Sequence, residues 1–148
     1  MSPGSKSDDL DAFAEEFQRL FLEEAIKIYG ERVVDLWRKP RNMVPLERPD
    51  GSARITGPCG DTMECFLEIE KGRITRATFV TNGCGPSIAS GGAVTELAKG
   101  KTLEEALKID QANVLDALGG LPGESAHCAK LAAMTLTEAV RDHLRQKD

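Results

Sequence analysis

The 148-residue chain has no dense run of lysine or arginine, and its 19 basic side chains are outnumbered by 24 acidic ones. At a formal net charge of −5 it offers nucleic acid no electrostatic footprint. Long apolar runs are also missing. Glutamate, arginine or lysine interrupts each hydrophobic stretch within a few residues, far short of a membrane span. The opening segment, Met1 to Asp9, is polar and lacks the apolar centre of a signal peptide, so it reads as a flexible tail on a cytoplasmic protein. In that compartment the four cysteines are expected to be reduced and free for metals, not paired in disulfides. No internal repeat or further low-complexity segment divides the chain, and its length suits one domain with a real core.

What is present is an unusual set of cysteine settings. Cys59 lies in Gly57-Pro58-Cys59-Gly60-Asp61, Cys84 in Asn82-Gly83-Cys84-Gly85-Pro86, and Cys128 follows His127. Thiolates in loops where glycine lets the backbone crowd a centre suit a metal or an iron–sulfur site. These cysteines are far apart in sequence, so the fold must assemble any joint site. Asp61 and His127 add a hard oxygen and a borderline nitrogen, and three Cys with one His or Asp make a full four-ligand set. Cys84 precedes a helix that Pro86 can open, and Cys128 falls in the first turn of a helix that Ser125 can cap. The dipole end and free N–H groups there are expected to lower a thiol pKa. Gly83 and Gly85 are expected to leave room beside the sulfur and to permit positive φ.

Each residue also has a plainer reading. Cys65 shares a strand face with Met63, Leu67 and Ile69 and reads as a small core hydrophobe. Asp61 alone suits a turn, His127 alone a helix-start surface, and His143 a helix face. No nucleophile motif or orienting third residue supports a Cys–His enzyme.

The periodicity predicts a helix capped by Ser7 and carrying Phe13, Phe17, Leu20, Phe21 and Ile28, a stripe suited to packing on the domain or on a second subunit. A second helix is expected from Glu31 to Arg38, stopped by Pro40, and then a loop region to Gly57. Met63 to Ile69 alternates as a strand, Lys71-Gly72 turns, and Arg73 to Thr81 forms the next strand, with Arg54-Ile55-Thr56 as a short additional one. Helices follow from Pro86 to Lys99, from Thr102, from Asp110 to Gly119-Gly120, and from Ser125 on, the last with Ala132, Leu136, Val140 and Leu144 inward. The expected class is α+β: a three-stranded antiparallel meander with helices packed on one face and an extra N-terminal helix.

Cys59-Gly60-Asp61, Gly83-Cys84-Gly85 with Ile88-Ala89-Ser90, Lys99-Gly100-Lys101-Thr102 with Glu104-Glu105-Ala106-Leu107, and His127-Cys128 stand in an order and near-spacing that resembles the IscU/NifU iron–sulfur cluster assembly scaffolds. Tyr29, Glu31, Val33, Asp35 and Pro40-Arg41-Asn42 resemble that family's N-terminal stretch. The likeness runs from about Tyr29 to the end, giving a tail and amphipathic helix over 1–28 and a scaffold domain over 29–148. It implies a SufE/NifU-like fold and a stand-alone, non-catalytic scaffold. A cysteine desulfurase would deliver sulfur, a [2Fe-2S] cluster would be built, and apo iron–sulfur acceptor proteins would receive it. The implied ligands are Cys59, Cys84 and Cys128 with His127 or Asp61 as the fourth, and Cys128 is the candidate persulfide acceptor. Zn2+ is expected when no cluster is bound, and a homo-oligomer and DnaK/DnaJ-type chaperones are the further expected partners. The segment Leu121-Pro122-Gly123-Glu124-Ser125 departs from the Leu-Pro-Pro-Val-Lys read by the specialised chaperone, which weakens the case for that partner. The alternative is a zinc-bound sulfur acceptor that enhances a desulfurase, as in the SufU branch. That branch has an insertion between its first two cysteines and lacks the histidine, whereas this chain keeps a short spacing and His127.

Overall fold

The computed structural model describes residues 4–146, with their side chains from residue 9 on. Helix α1 (Gly4–Tyr29) ends at Gly30, whose φ of 90° breaks it cleanly from α2 (Glu31–Arg38). Strands β1 (Gly51–Thr56), β2 (Thr62–Glu70) and β3 (Arg73–Thr81) pair antiparallel in the order β1-β2-β3. Helices α3 (Gly85–Ala98), α4 (Leu103–Leu107), α5 (Gln111–Leu118) and α6 (Ala126–Gln146) complete the domain, with a 3-10 turn, Gly123–Ser125, ahead of α6. This is the expected α+β meander. Among the described residues, no helix is long and apolar enough to cross a membrane.

Local chemistry accounts for most boundaries. Lys71 and Gly72 both take positive φ, 53° and 75°, the conformation that a two-residue hairpin turn requires. Thr102 and Glu105 form a reciprocal capping box on α4, and Asp110 with Asn113 does the same for α5, which ends on left-handed Gly119.

The core lies between one sheet face and the helices α3 and α6. Met63, Cys65 and Leu67 of β2 sit beside Phe79 and Ala77 of β3, and all are buried. The helices come close because their inner faces are small. A Cβ on Gly91 of α3 would lie 2.3 Å from the Phe79 ring, and one on Gly51 of β1 would lie 2.5 Å from the Ala139 carbonyl of α6. Asn42 closes the free edge of β3. Its carbonyl accepts the Phe79 N–H at 2.9 Å, while its side-chain amide donates to Thr95 on α3 at 3.0 Å.

Several expectations are corrected or refined. Ser7 is not a cap, because α1 already begins at Gly4; no proline or glycine interrupts the chain between Gly4 and Tyr29, so residues 4–9 continue the helix instead of forming a tail. Residues 1–3 of that expected tail lie outside the described residues. Strand β1 starts at Gly51, inside the expected loop, because tertiary partners hold it: Ser52 N–H donates to Asp142 at 3.0 Å, and Asp50 accepts the Ile69 N–H at 2.7 Å. His143 lies on a face of α6 as expected, and its Nδ1 meets the Asp50 carbonyl at 3.0 Å, tying α6 to the start of β1. Leu144, expected inward, is 40% exposed at the end of α6. Of the two coverings expected for the Phe13, Phe17 and Phe21 stripe, the domain supplies little: all three rings are exposed, and Phe17 and Phe21 only border a cleft beside Arg38.

The close approach of α3 generates a paired prediction. Gly91→Ala should lose about 2 kcal/mol in chemical denaturation, because the new methyl meets the rigid Phe79 ring. Gly92→Ala, whose Cβ would find ordinary contacts beginning at 3.5 Å, should be neutral or gain up to ~1 kcal/mol from helix propensity. Equal effects at the two sites would mean that α3 is not held against β3 as described.

Candidate metal and sulfur centre

Three structural joints bring the site together. The first is the turn from Gly57 to Asp61 that enters β2. Gly57 N–H donates to the Asp61 carbonyl at 2.8 Å, Gly60 N–H donates to the Gly57 carbonyl at 3.0 Å, and Gly60 takes a φ of 91°. That fold-back needs a residue at ease in left-handed space and points Cys59 and Asp61 off the sheet end. The second is the start of α3. Cys84 is its N-cap residue, and its carbonyl accepts the N–H groups of Ser87 and Ile88, each at 3.0 Å. The third is the first turn of α6, which carries His127 and Cys128.

The ligand atoms of Cys59, Asp61 and His127 all lie within 4.8 Å of one another. Cys128 Sγ is 3.7 Å from His127 Nε2 and 3.5 Å from Ser87 Oγ, and the same Ser87 hydroxyl donates to Asp61 Oδ2 at 2.9 Å. Cys84 lies outside the tight trio but close enough for its charge to act on Cys128. The sequence-predicted residues therefore share one pole. Cys65 does not: it is buried in the core, and desolvation pushes its thiol up to about 12.

Ser87 was not anticipated from sequence. It is fully buried, and its single hydroxyl proton can serve only one of Asp61 and Cys128 at a time. Only its place three residues after Cys84, on the inner side of a helix start, could have drawn attention to it.

Two expectations about the cysteine settings change. Cys128 is buried, and desolvation raises its pKa; the Ser87 hydrogen bond offsets part of this, and the nearby charges of Cys84, Asp61 and Cys59 add to the rise. Burial thus outweighs the helix start at this thiol. Gly83 and Gly85 do not take positive φ; they are small because neighbours press on them. A Cβ on Gly85 would sit 2.4 Å from the Trp37 ring, and one on Gly83 would sit 2.5 Å from Ser87 Oγ and 2.9 Å from Asp61 Oδ2.

The donor set of three sulfurs, an imidazole and a carboxylate fits a soft or borderline metal, iron–sulfur centres included. Thiol labelling reads the arrangement directly. At mildly alkaline pH, exposed Cys59 and Cys84 should react first, buried Cys128 more slowly, and Cys65 only on unfolding. Ser87→Ala removes the donor that lowers the Cys128 pKa, so alkylation of Cys128, followed by mass spectrometry of its peptide, should slow several-fold. An unchanged Cys128 rate would separate Ser87 from that sulfur.

Residues 28–148 match the model of the family described as NifU-like N terminal domain. The chain is 42% identical over 120 residues to the iron–sulfur cluster assembly scaffold protein IscU 1 of Archaeoglobus fulgidus, covering 80% of this chain and 78% of that one. It is 39% identical over 124 residues to the scaffold protein IscU of Azotobacter vinelandii, covering 80% and 96% of the two chains. The crystal structure of the N-terminal part of a NifU-like protein from Brucella abortus superposes with a TM-score of 0.68 over 84% of this chain and 99% of that one, at 16% identity, and so shares the fold. With a family match across most of its length and relatives about two-fifths identical, this chain belongs to the NifU-like N-terminal domain family.

Proposed function

We propose that this protein is a scaffold on which an iron–sulfur cluster is assembled and from which it is handed on. The observation that carries the reading is the convergence of Cys59, Asp61 and His127 within 4.8 Å, with Cys128 joined to Asp61 through Ser87, in a chain 42% identical to a protein of that role. Cys59, Cys84 and Cys128 are the sulfur ligands in this account, and His127 or Asp61 supplies the fourth bond. The cluster, [2Fe-2S] in the first instance, is cargo. The chain itself binds and releases and turns over no small substrate. Residues 29–148 form the scaffold unit, with 1–28 as an appendage.

Sulfur arrives from a cysteine desulfurase as a persulfide. Cys128 is the proposed acceptor: its thiolate takes the outer sulfur atom, and the desulfurase cysteine leaves as a thiolate. Burial keeps Cys128 protonated more than an ordinary thiol, so this sulfur stays quiet until a docked partner or a metal draws its proton away. Apo iron–sulfur proteins are the recipients. A centre with one oxygen or nitrogen bond beside its thiolates is held less firmly than an all-thiolate one, which suits a donor.

Asp61 tests this reading. A carboxylate oxygen exchanges on a soft centre more readily than a thiolate does, so Asp61 offers the weak point through which the cluster leaves. Asp61→Ala should hold a reconstituted cluster longer and transfer it to an apo-ferredoxin several-fold more slowly at equal loading. Cys84→Ser should lose the cluster. Equal transfer rates and lifetimes in wild type and Asp61→Ala would reduce Asp61 to a turn residue anchored by Ser87.

A further inference from the structure

Helix α1 carries an apolar seam that its own domain leaves open. Leu10, Phe13, Phe17, Leu20, Phe21 and Ile28 are all at least half exposed, Phe13 the most at 71%. The helix meets the body near its C-terminal end, where Ala25 is buried, α1 packs on α2, and Tyr29 stacks edge-on against Trp37 at 5.5 Å. Among the described side chains, those from Asp9 to Phe21 are exposed, with Phe17 and Phe21 lining a shallow cleft beside Arg38 of α2.

The spacing of the seam says what covers it. Leu10, Phe13, Phe17 and Leu20 recur at intervals of three, four and three, the a-d-a-d repeat that two helices share in a coiled coil. Phe21 and Ile28 fall at the flanking e positions. The g positions on the other flank are Asp9, Glu16 and Glu23, all acidic, while the e positions Ala14, Phe21 and Ile28 are all apolar. In a parallel pair each g residue faces an e residue of the other helix, five positions on, so these g carboxylates meet no like charge. The next a and d positions are Glu24 and Lys27, paired with each other on their own helix at 3.4 Å, and the apolar a-d seam ends before them. In an antiparallel pair g faces g, and acid opposes acid. Arg19 also ties up Glu16 and Glu23 on its own helix, the latter at 2.9 Å.

We propose that α1 pairs in parallel with α1 of a second copy, making the protein a homodimer joined through this seam. The area suffices. Covering six such side chains removes on the order of 600 Å2 of apolar surface per copy, about 1,200 Å2 in all, the lower end of specific interfaces. A patch of that size is rare on a protein that stays alone. Parallel pairing also puts both Gly30 junctions, and therefore both domains with their cysteine poles, at the same end of the helix pair. The proposal goes beyond the scaffold reading and does not depend on it.

Sedimentation velocity of the full chain across the micromolar range, with circular dichroism alongside, tests it. Wild type should sediment as a dimer. Phe13→Glu/Phe17→Glu should sediment as a monomer whose domain still unfolds cooperatively near the wild-type midpoint, because both side chains are mostly exposed, Phe13 at 71% and Phe17 at 62%. Ala14→Lys places a cation opposite Asp9 of the other copy only in the parallel arrangement, so it should tighten the dimer several-fold at low salt and lose that gain at high salt. A monomeric wild type overturns the proposal, as does a dimer that persists in the double variant. Weakening by Ala14→Lys overturns the parallel arrangement. Met134→Glu alters the separate groove that Leu107, Ile109 and Met134 line between α4 and α6. If it abolished the dimer, the seam would dock into that groove of the second copy, and self-pairing would be wrong.

Discussion

The contact between Gly91 and Phe79 fixes how the molecule is put together. Because α3 presents no side chain there, its backbone settles on the ring of a fully buried strand residue. The position of α3 then determines where its N-terminus lies. Cys84 and Ser87 sit at that end, next to the strand ends that carry Thr81 and Asp61. Trp37 presses on Gly85 from the side, so α2 sets the angle at which α3 begins. Core packing thus places Cys84 and Ser87, while Cys59 and Asp61 are set by their own turn at the start of β2.

The pole combines exposed and buried donors. Cys59 and Cys84 face water, whereas Cys128 lies behind them with its proton held by desolvation. Asp61 is only half exposed and is clamped by Ser87 at 2.9 Å. On the proposed reading, a soft metal that displaces the thiol protons would find sulfur, imidazole and carboxylate donors at one pole, the hard oxygen being the one it can release. Assembly and release ask for opposite bond strengths, and the mixed donor set offers both.

Much of this was legible in the sequence, for identifiable reasons. The hairpin at Lys71-Gly72, the capping box at Thr102 and the cap at Asp110 are local chemistry that the residue types express directly, whereas the sequence does not decide whether Gly30 breaks or bends the helix. The convergence of Cys59, Asp61, His127 and Cys128 at one pole is predicted by their glycine-flanked and helix-start settings. Contacts between distant segments could not be read. The Gly-Ser-Ala start of β1 has weak strand character and is held by Asp142 and His143 of α6. Ser87 looks like any helix serine until Asp61 and Cys128 are brought against it. The raised pKa of Cys128 comes from burial, which is set by distant segments and outweighs the local helix start.

The central claim is that this pole holds an iron–sulfur cluster through Cys59, Cys84 and Cys128. Anaerobic reconstitution with iron and sulfide, followed by visible and Mössbauer spectroscopy on the desalted chain, tests it most directly. The account predicts sulfur-to-iron charge-transfer absorption and a Mössbauer signature of cysteine-ligated iron in the wild-type chain, both lost when any one of the three cysteines is replaced by serine and both kept in Cys65→Ala. A chain that retains only zinc and shows no charge-transfer band, or one whose cluster survives each of the three serine substitutions, would contradict it.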